Sequence, residues 1–203
     1  REDMRSKTNL AHRLSRLIWS KSSTSFFLNG APGSGKSTLL GRLARELTGQ
    51  IPRSYVLGPY AMKQEDFASL TLNILQDCRK ATFLDSFPDE TSVPNLVAGR
   101  MWFADNAYVS PAHSFLVFVD LVDTDPIDLV RLGNLFSQVR ELEGIWGHRG
   151  IRLFHMFAGY WDHPALERHF RDISTSFPYT PGDNYATWEG VSRSEIKRLV
   201  RDV

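Results

Sequence analysis

Apolar residues recur along this chain with two different spacings, and the alternation between them is the main structural signal. Residues 8–20 place Leu10, Leu14, Leu17 and Ile18 at helical intervals, with His12, Arg13 and Arg16 opposite, which predicts an amphipathic lead-in helix with a solvated basic face. A serine-rich break at 21–25 leads into the short apolar run Phe26-Phe27-Leu28. That run meets Asn29-Gly30 and reads as a buried strand ending in a tight loop. From Lys36 the spacing of Leu39, Leu40, Leu43, Ala44 and Leu47 returns to about 3.6 and halts at Gly49, with Pro52 beyond, so a helix is predicted there.

The same alternation continues. A second strand is expected over 54–57, closed by Gly58-Pro59, and a helix over 63–80 carries Phe67, Leu70, Ile74 and Leu75. Residues 88–112 read as an insertion with a short helix at 96–107. A third strand, 114–120, is unbroken apolar until Asp120, and Asp123, Asp125 and Pro126 suit the start of a helix reaching Glu143. A fourth strand is expected at 150–157, a loop at 159–162 and a helix at 164–170. Parallel strands need crossover helices that cover both faces of the sheet, so the fold class is α/β, a three-layer α/β/α sandwich around a mainly parallel central sheet. Residues 1–177 form the expected core. Residues 178–203 read as a linker and the start of a helix, where Ser192 and Glu195 make a capping box ahead of Ile196, Leu199 and Val200.

Composition narrows the partners. At 203 residues the chain suits one principal domain, and because it opens on Arg1 and stops inside an amphipathic run it reads as part of a longer polypeptide. A formal net charge of +1 gives no strong field, so neither a nucleic-acid nor a membrane partner is expected. The single cysteine, Cys78, lies in a helical run and reads as a small buried thiol, and with no signal segment or long apolar stretch a cytoplasmic protein is expected. His155, His163 and His169 fit no standard zinc spacing, and Trp146, Trp161 and Trp188 read as packing residues.

The chemistry concentrates in Gly30-Ala31-Pro32-Gly33-Ser34-Gly35-Lys36-Ser37, a complete G-x-x-x-x-G-K-[ST] pattern, followed by Thr38. It stands after a predicted strand and opens a predicted helix, the arrangement that aims main-chain N–H groups and a helix N-terminus at phosphate oxygens. Gly30, Gly33, Ser34, Gly35, Lys36, Ser37 and Thr38 are the expected nucleotide-binding residues. The glycines let the backbone approach the phosphates, Lys36 can reach the β and γ phosphates, Ser37 can ligate Mg²⁺, and Thr38 would neighbour the α phosphate. The strand Leu116-Val117-Phe118-Val119-Asp120 has the form of a Walker B strand, in which Asp120 would hold Mg²⁺ through water, although a strand-end aspartate can also simply cap the next helix. Asp123 and Asp125 could polarise an attacking water, with Asp123 favoured, although a capping or turn role is open for each.

These features together resemble the AAA+-like and STAND signal-transduction ATPases, over roughly residues 10–170. The resemblance implies ATP and Mg²⁺ as cofactors, a sheet in which the fourth strand lies between the phosphate-loop strand and the Asp120 strand, and a tail, 188–203, that opens a helical lid. It also implies a role as a nucleotide-dependent switch in a signalling or defence protein, with other domains of the same polypeptide or nucleotide-dependent oligomers as partners. Leu121 departs from the group, which often has a second acid after the strand's aspartate, so slow or absent hydrolysis is expected. His155, Tyr160 and Asp162 lie near the sensor position but each has an ordinary structural reading, and Arg100, Arg149 and Arg152 offer no assignable arginine finger. A small P-loop kinase and a hydrolysis-deficient nucleotide-gated scaffold remain as alternatives.

Overall fold

The computed structural model describes residues 2–20, 24–52, 54–82, 114–147, 151–172, 185–190 and 192–203. The expected helix at 96–107, Arg100, Arg149 and the 178–183 loop lie outside them. Among the described residues, eleven regular elements run in the order α1 (Glu2–Ile18), β1 (Thr24–Asn29), α2 (Lys36–Leu47), β2 (Ser54–Met62), α3 (Leu70–Thr82), β3 (Ser114–Leu121), α4 (Leu129–Gly147), β4 (Arg152–Gly159), α5 (His163–Asp172), β5 (Tyr185–Thr187) and α6 (Arg193–Arg201), with a 3-10 turn at Gln64–Ser69 between β2 and α3.

The five strands form one sheet in the order β2-β3-β4-β1-β5, and every neighbouring pair is parallel. The fourth strand therefore lies between the phosphate-loop strand and the Asp120 strand, as the resemblance implied. β3 is buried along its whole length and β4 at all but Arg152, which is why both are largely apolar, with His155 a buried polar exception in β4. Alternate residues feed two cores. Leu116, Phe118, Phe154, Met156, Phe26 and Leu28 pack with α1, α2 and α6 on one face. Phe115, Val117, Val119, Leu153, Phe157 and Phe27 pack with α3, α4 and α5 on the other. Trp146 and Trp161 lie in this second core and Trp188 in the first, the packing roles expected of them, and Cys78 is fully buried.

Several boundaries move for identifiable reasons. β2 does not stop at Gly58-Pro59 but runs on to Met62, with a register shift between Leu57 and Tyr60. It is an edge strand, where a proline without an N–H interrupts little. α4 begins at Leu129 rather than near Pro126, because Asp128 supplies the cap: its Oδ1 accepts from Arg131 N at 2.9 Å. Residues 123–127 are instead a loop whose buried Ile127 donates its N–H to the Tyr160 carbonyl. β5 was not foreseen, since three residues between turns carry no readable periodicity, yet it pairs with β1 from Phe27 to Asn29. The capping box ahead of α6 is present in both directions, Glu195 N to Ser192 Oγ and Ser192 N to Glu195 Oε2.

The basic face of α1 is less solvated than its pattern suggests. Arg13 lies over the Phe26 ring at 5.6 Å and donates to the Tyr185 carbonyl, joining the helix to β1 and β5. Arg152 donates to the Leu17 carbonyl at 2.6 Å and closes the C-terminal turn of α1, so it has a structural role rather than that of an arginine finger. No helix among the described residues is long and apolar enough to cross a membrane.

Candidate functional site

The C-terminal tips of β1, β3 and β4 converge on the loop between β1 and α2. Gly30 leaves β1 with its N–H donating to the Gly159 carbonyl at the end of β4. Asn29 is buried and holds the next segment with both ends of its amide. Its Nδ2 donates to the Trp161 carbonyl at 2.9 Å, and its Oδ1 accepts from Trp161 N at 3.1 Å. The first residue of the loop is thus fixed to the strand beside it before the chain turns.

Gly35 occupies the N-cap of α2 with φ of 93° and ψ of 10°, a left-handed conformation that a side chain would strain. No side chain caps this helix, and its first turn contains no acid. The leading amides of α2 therefore point out of the helix with the positive end of its dipole, a combination suited to an anion. Ser37 and Thr38 are exposed in this first turn, whereas Lys36 is only 7% exposed. The Lys36 ammonium turns back along the loop and donates to Gly30 O at 2.6 Å, Ala31 O at 2.7 Å and Ser34 Oγ at 3.2 Å. It is held among acceptors that compete poorly with a phosphate for a cation.

Asp120 stands one strand beyond β4, at the tip of β3, and is 8% exposed. Burial pushes its carboxyl above the usual carboxylate range, against the opposing effects of a hydrogen bond from Ser37 and the nearby Lys36 charge. Burial also depresses Lys36, in spite of Asp120. For both groups loss of water outweighs their mutual attraction. A polyanion with a divalent cation would relieve both at once, one partner for each charge. The structure thus brings together all of Gly30, Gly33, Ser34, Gly35, Lys36, Ser37, Thr38 and Asp120.

Asp123 is placed differently. Its Oδ2 accepts from Gln64 N at 2.9 Å, tying the chain after β3 to the start of the 3-10 turn. Leu121 faces the opposite core from Asp120, packed with Met62, Gly159 and Trp161. Near the sensor position, His155 is fully buried with Nδ1 3.1 Å from Glu143 Oε1, and Asp162 Oδ1 accepts from Ala165 N at the start of α5. These are the ordinary structural roles expected of them. Sequence reasoning missed Asn29, Trp161 and Trp188 as neighbours of the loop. Asn29 directly before the motif was the one local cue.

No protein-family model matches the chain, and no characterised protein matches it by sequence. Solved structures do match. Drosophila ORC bound to DNA aligns with a TM-score of 0.55 at 18% identity, over 93% of this chain and 44% of that one. Aeropyrum pernix ORC2 in its ADP form aligns with a TM-score of 0.54 at 15% identity, over 96% of this chain and 50% of that one. Its ADPNP-ADP form gives 0.51 at 17% identity, over 97% and 50%. The fold is that of the AAA+ P-loop NTPases. The chain spans about half the length of those proteins or less, and at such identities the likeness is one of fold.

One expectation is overturned. A net charge of +1 argues against a nucleic-acid partner, but Drosophila ORC, which shares the fold, is found bound to DNA. Net charge sums over the whole surface, while contact with phosphates needs only a few cations on one side, so the sum excludes nothing.

Proposed function

We propose that this domain binds a nucleoside triphosphate, ATP with Mg²⁺, and acts as a nucleotide-dependent switch with slow hydrolysis. The observation that carries the reading is the uncapped N-terminus of α2 behind a left-handed Gly35, with the buried Lys36 ammonium beside it. The loop amides and Lys36 would hold the β and γ phosphates, and Thr38 would neighbour the α phosphate. Ser37 and Asp120, hydrogen-bonded to each other, offer the hard oxygen donors that Mg²⁺ takes. The ion would neutralise phosphate charge as it develops in phosphoryl transfer.

Slow hydrolysis follows from what surrounds Asp120. The next residue is an apolar core side chain, and the Asp123 carboxylate is engaged by a backbone N–H, so neither offers a free base beside the phosphates. A domain that binds tightly and turns over slowly reports nucleotide state through its conformation. The switch role in a signalling or defence protein rests on the resemblance in the sequence, and a nucleic-acid target is compatible with it. The test is to incubate the protein with ATP or GTP and Mg²⁺ and to measure bound nucleotide, released phosphate and transfer to a panel of small acceptors. Bound ATP with slow, acceptor-independent phosphate release, abolished by Asp120→Ala, is the expected result. Acceptor-dependent turnover would instead make the protein a small kinase.

A further inference from the structure

The phosphate loop is braced from outside by a residue more than 150 positions away. Trp188 follows β5 and is 4% exposed. Its backbone N–H donates to the Asn29 carbonyl at 2.6 Å, and its indole Nε1 donates to the Ser34 carbonyl at 2.8 Å. Its own carbonyl oxygen and Cβ lie where a side chain on Gly30 would have to stand, so Gly30 is glycine because Trp188 passes over it. Gly190 then runs alongside Ser34. Trp188 therefore touches both arms of the loop, the arm that leaves β1 and the arm that enters α2.

Ser34 is gripped from two sides. Its hydroxyl lies 3.2 Å from the Lys36 ammonium on the inside, and its carbonyl accepts from the indole on the outside. When Lys36 engages a phosphate, the inner grip on Gly30, Ala31 and Ser34 is given up. The indole bond then remains to hold the Ser34 peptide with its neighbouring amides directed at the anion. The indole also belongs to the core that contains Ile196, Leu199 and Val200 of α6 and Leu39 and Leu40 of α2. Only four residues separate it from α6, and the last of them, Ser192, is the N-cap.

We infer that Trp188 is the positioning residue of the phosphate loop and the link through which occupancy of the loop reaches α6. This rests on the phosphate-binding reading above. Loop and helix share this aromatic side chain, tied to the loop by its indole and lying in the same core as α6, so release of the Lys36 grip on Ser34 changes the load on a group that α6 shares.

The decisive variant is Trp188→Phe, which keeps an aromatic ring in the core and removes the N–H. Mg-ATP affinity is measured by titration, thermal stability without nucleotide, and backbone hydrogen exchange of α6 with and without Mg-ATP. The expected result is affinity about tenfold weaker, the worth of one well-placed hydrogen bond. A melting temperature within a few degrees of wild type is expected alongside it. In the wild type, Mg-ATP should change exchange at Ile196, Leu199 and Val200, and in the variant that response should be lost. If the variant melts far lower, the wild-type exchange alone decides: no change in α6 on adding Mg-ATP overturns the inference. Equal affinity and an equal α6 response in the two proteins also overturn it, and leave the cradle intact provided Lys36→Ala still loses binding. If wild type fails to bind Mg-ATP, the phosphate reading falls and this inference with it.

Discussion

Burying Asp120 at the tip of β3 costs free energy that its two helpers do not recover. Its carboxyl sits above the usual range because desolvation outweighs the Ser37 hydrogen bond and the Lys36 charge. A group whose folded pKa is raised contributes stability that is full below its unfolded pKa and is lost as pH rises through the folded value. At neutral pH the charged Asp120 is therefore a liability to the fold. Asp120→Asn should raise the melting temperature at pH 7, and the gain should shrink to nothing as pH falls below the ordinary carboxylate range. Thermal melts across that range check the sign. A lower melting temperature at pH 7 would mean that the Ser37 and Lys36 contacts outweigh burial. Such a residue is retained for what it binds, a stability cost common at functional sites. Residues of this kind were legible because the loop is a contiguous pattern and Asp120 ends an apolar strand. Asn29 and Trp188 were not, since their partners lie 132 and 154 positions away, and no local spacing encodes such contacts.

At the level of elements, α6 shows what sequence patterns carry well. Ser192 and Glu195 announce the start, and Ile196, Leu199 and Val200 face the core formed with α1 and α2. Ser192→Ala removes the acceptor for Glu195 N and should cost about 1 kcal/mol in a denaturant titration. If its effect were zero, the capping box would be ornamental in solution. Element ends were the harder part to read. The acids and proline at 123–126 resemble a helix start, but the true cap is Asp128, because buried Ile127 must first reach the Tyr160 carbonyl at the end of β4. β5 escaped notice because its only reason to be extended is the open edge of β1.

Over the whole molecule, one parallel sheet separates two cores and brings the tips of three strands to the same loop. The larger core is filled by aromatic packing: Phe27 against Phe136 at 4.7 Å and Phe157 at 5.6 Å, and Phe115 against Trp146 at 5.5 Å. Trp146 is fully buried on α4, and Trp146→Ala should cost about 3–5 kcal/mol by chemical denaturation. A loss under about 1 kcal/mol would show that α4 does not pack on the sheet as described. The α/β class was legible because buried strands and amphipathic helices alternate, whereas the place of β4 between β1 and β3 came from the family resemblance and not from the pattern itself. A nucleic-acid partner is not legible in the whole-chain charge, because contact with phosphates is a property of one surface.

The central claim, that the β1–α2 loop is a cradle for a triphosphate, is tested most directly by calorimetric titration of Mg-ATP into the wild type and Lys36→Ala. The geometry predicts saturable one-to-one binding by the wild type. Affinity should fall at least tenfold in the variant, whose charge-assisted contacts to phosphate are gone. Equal affinity in the two proteins, or no binding to the wild type, would contradict it.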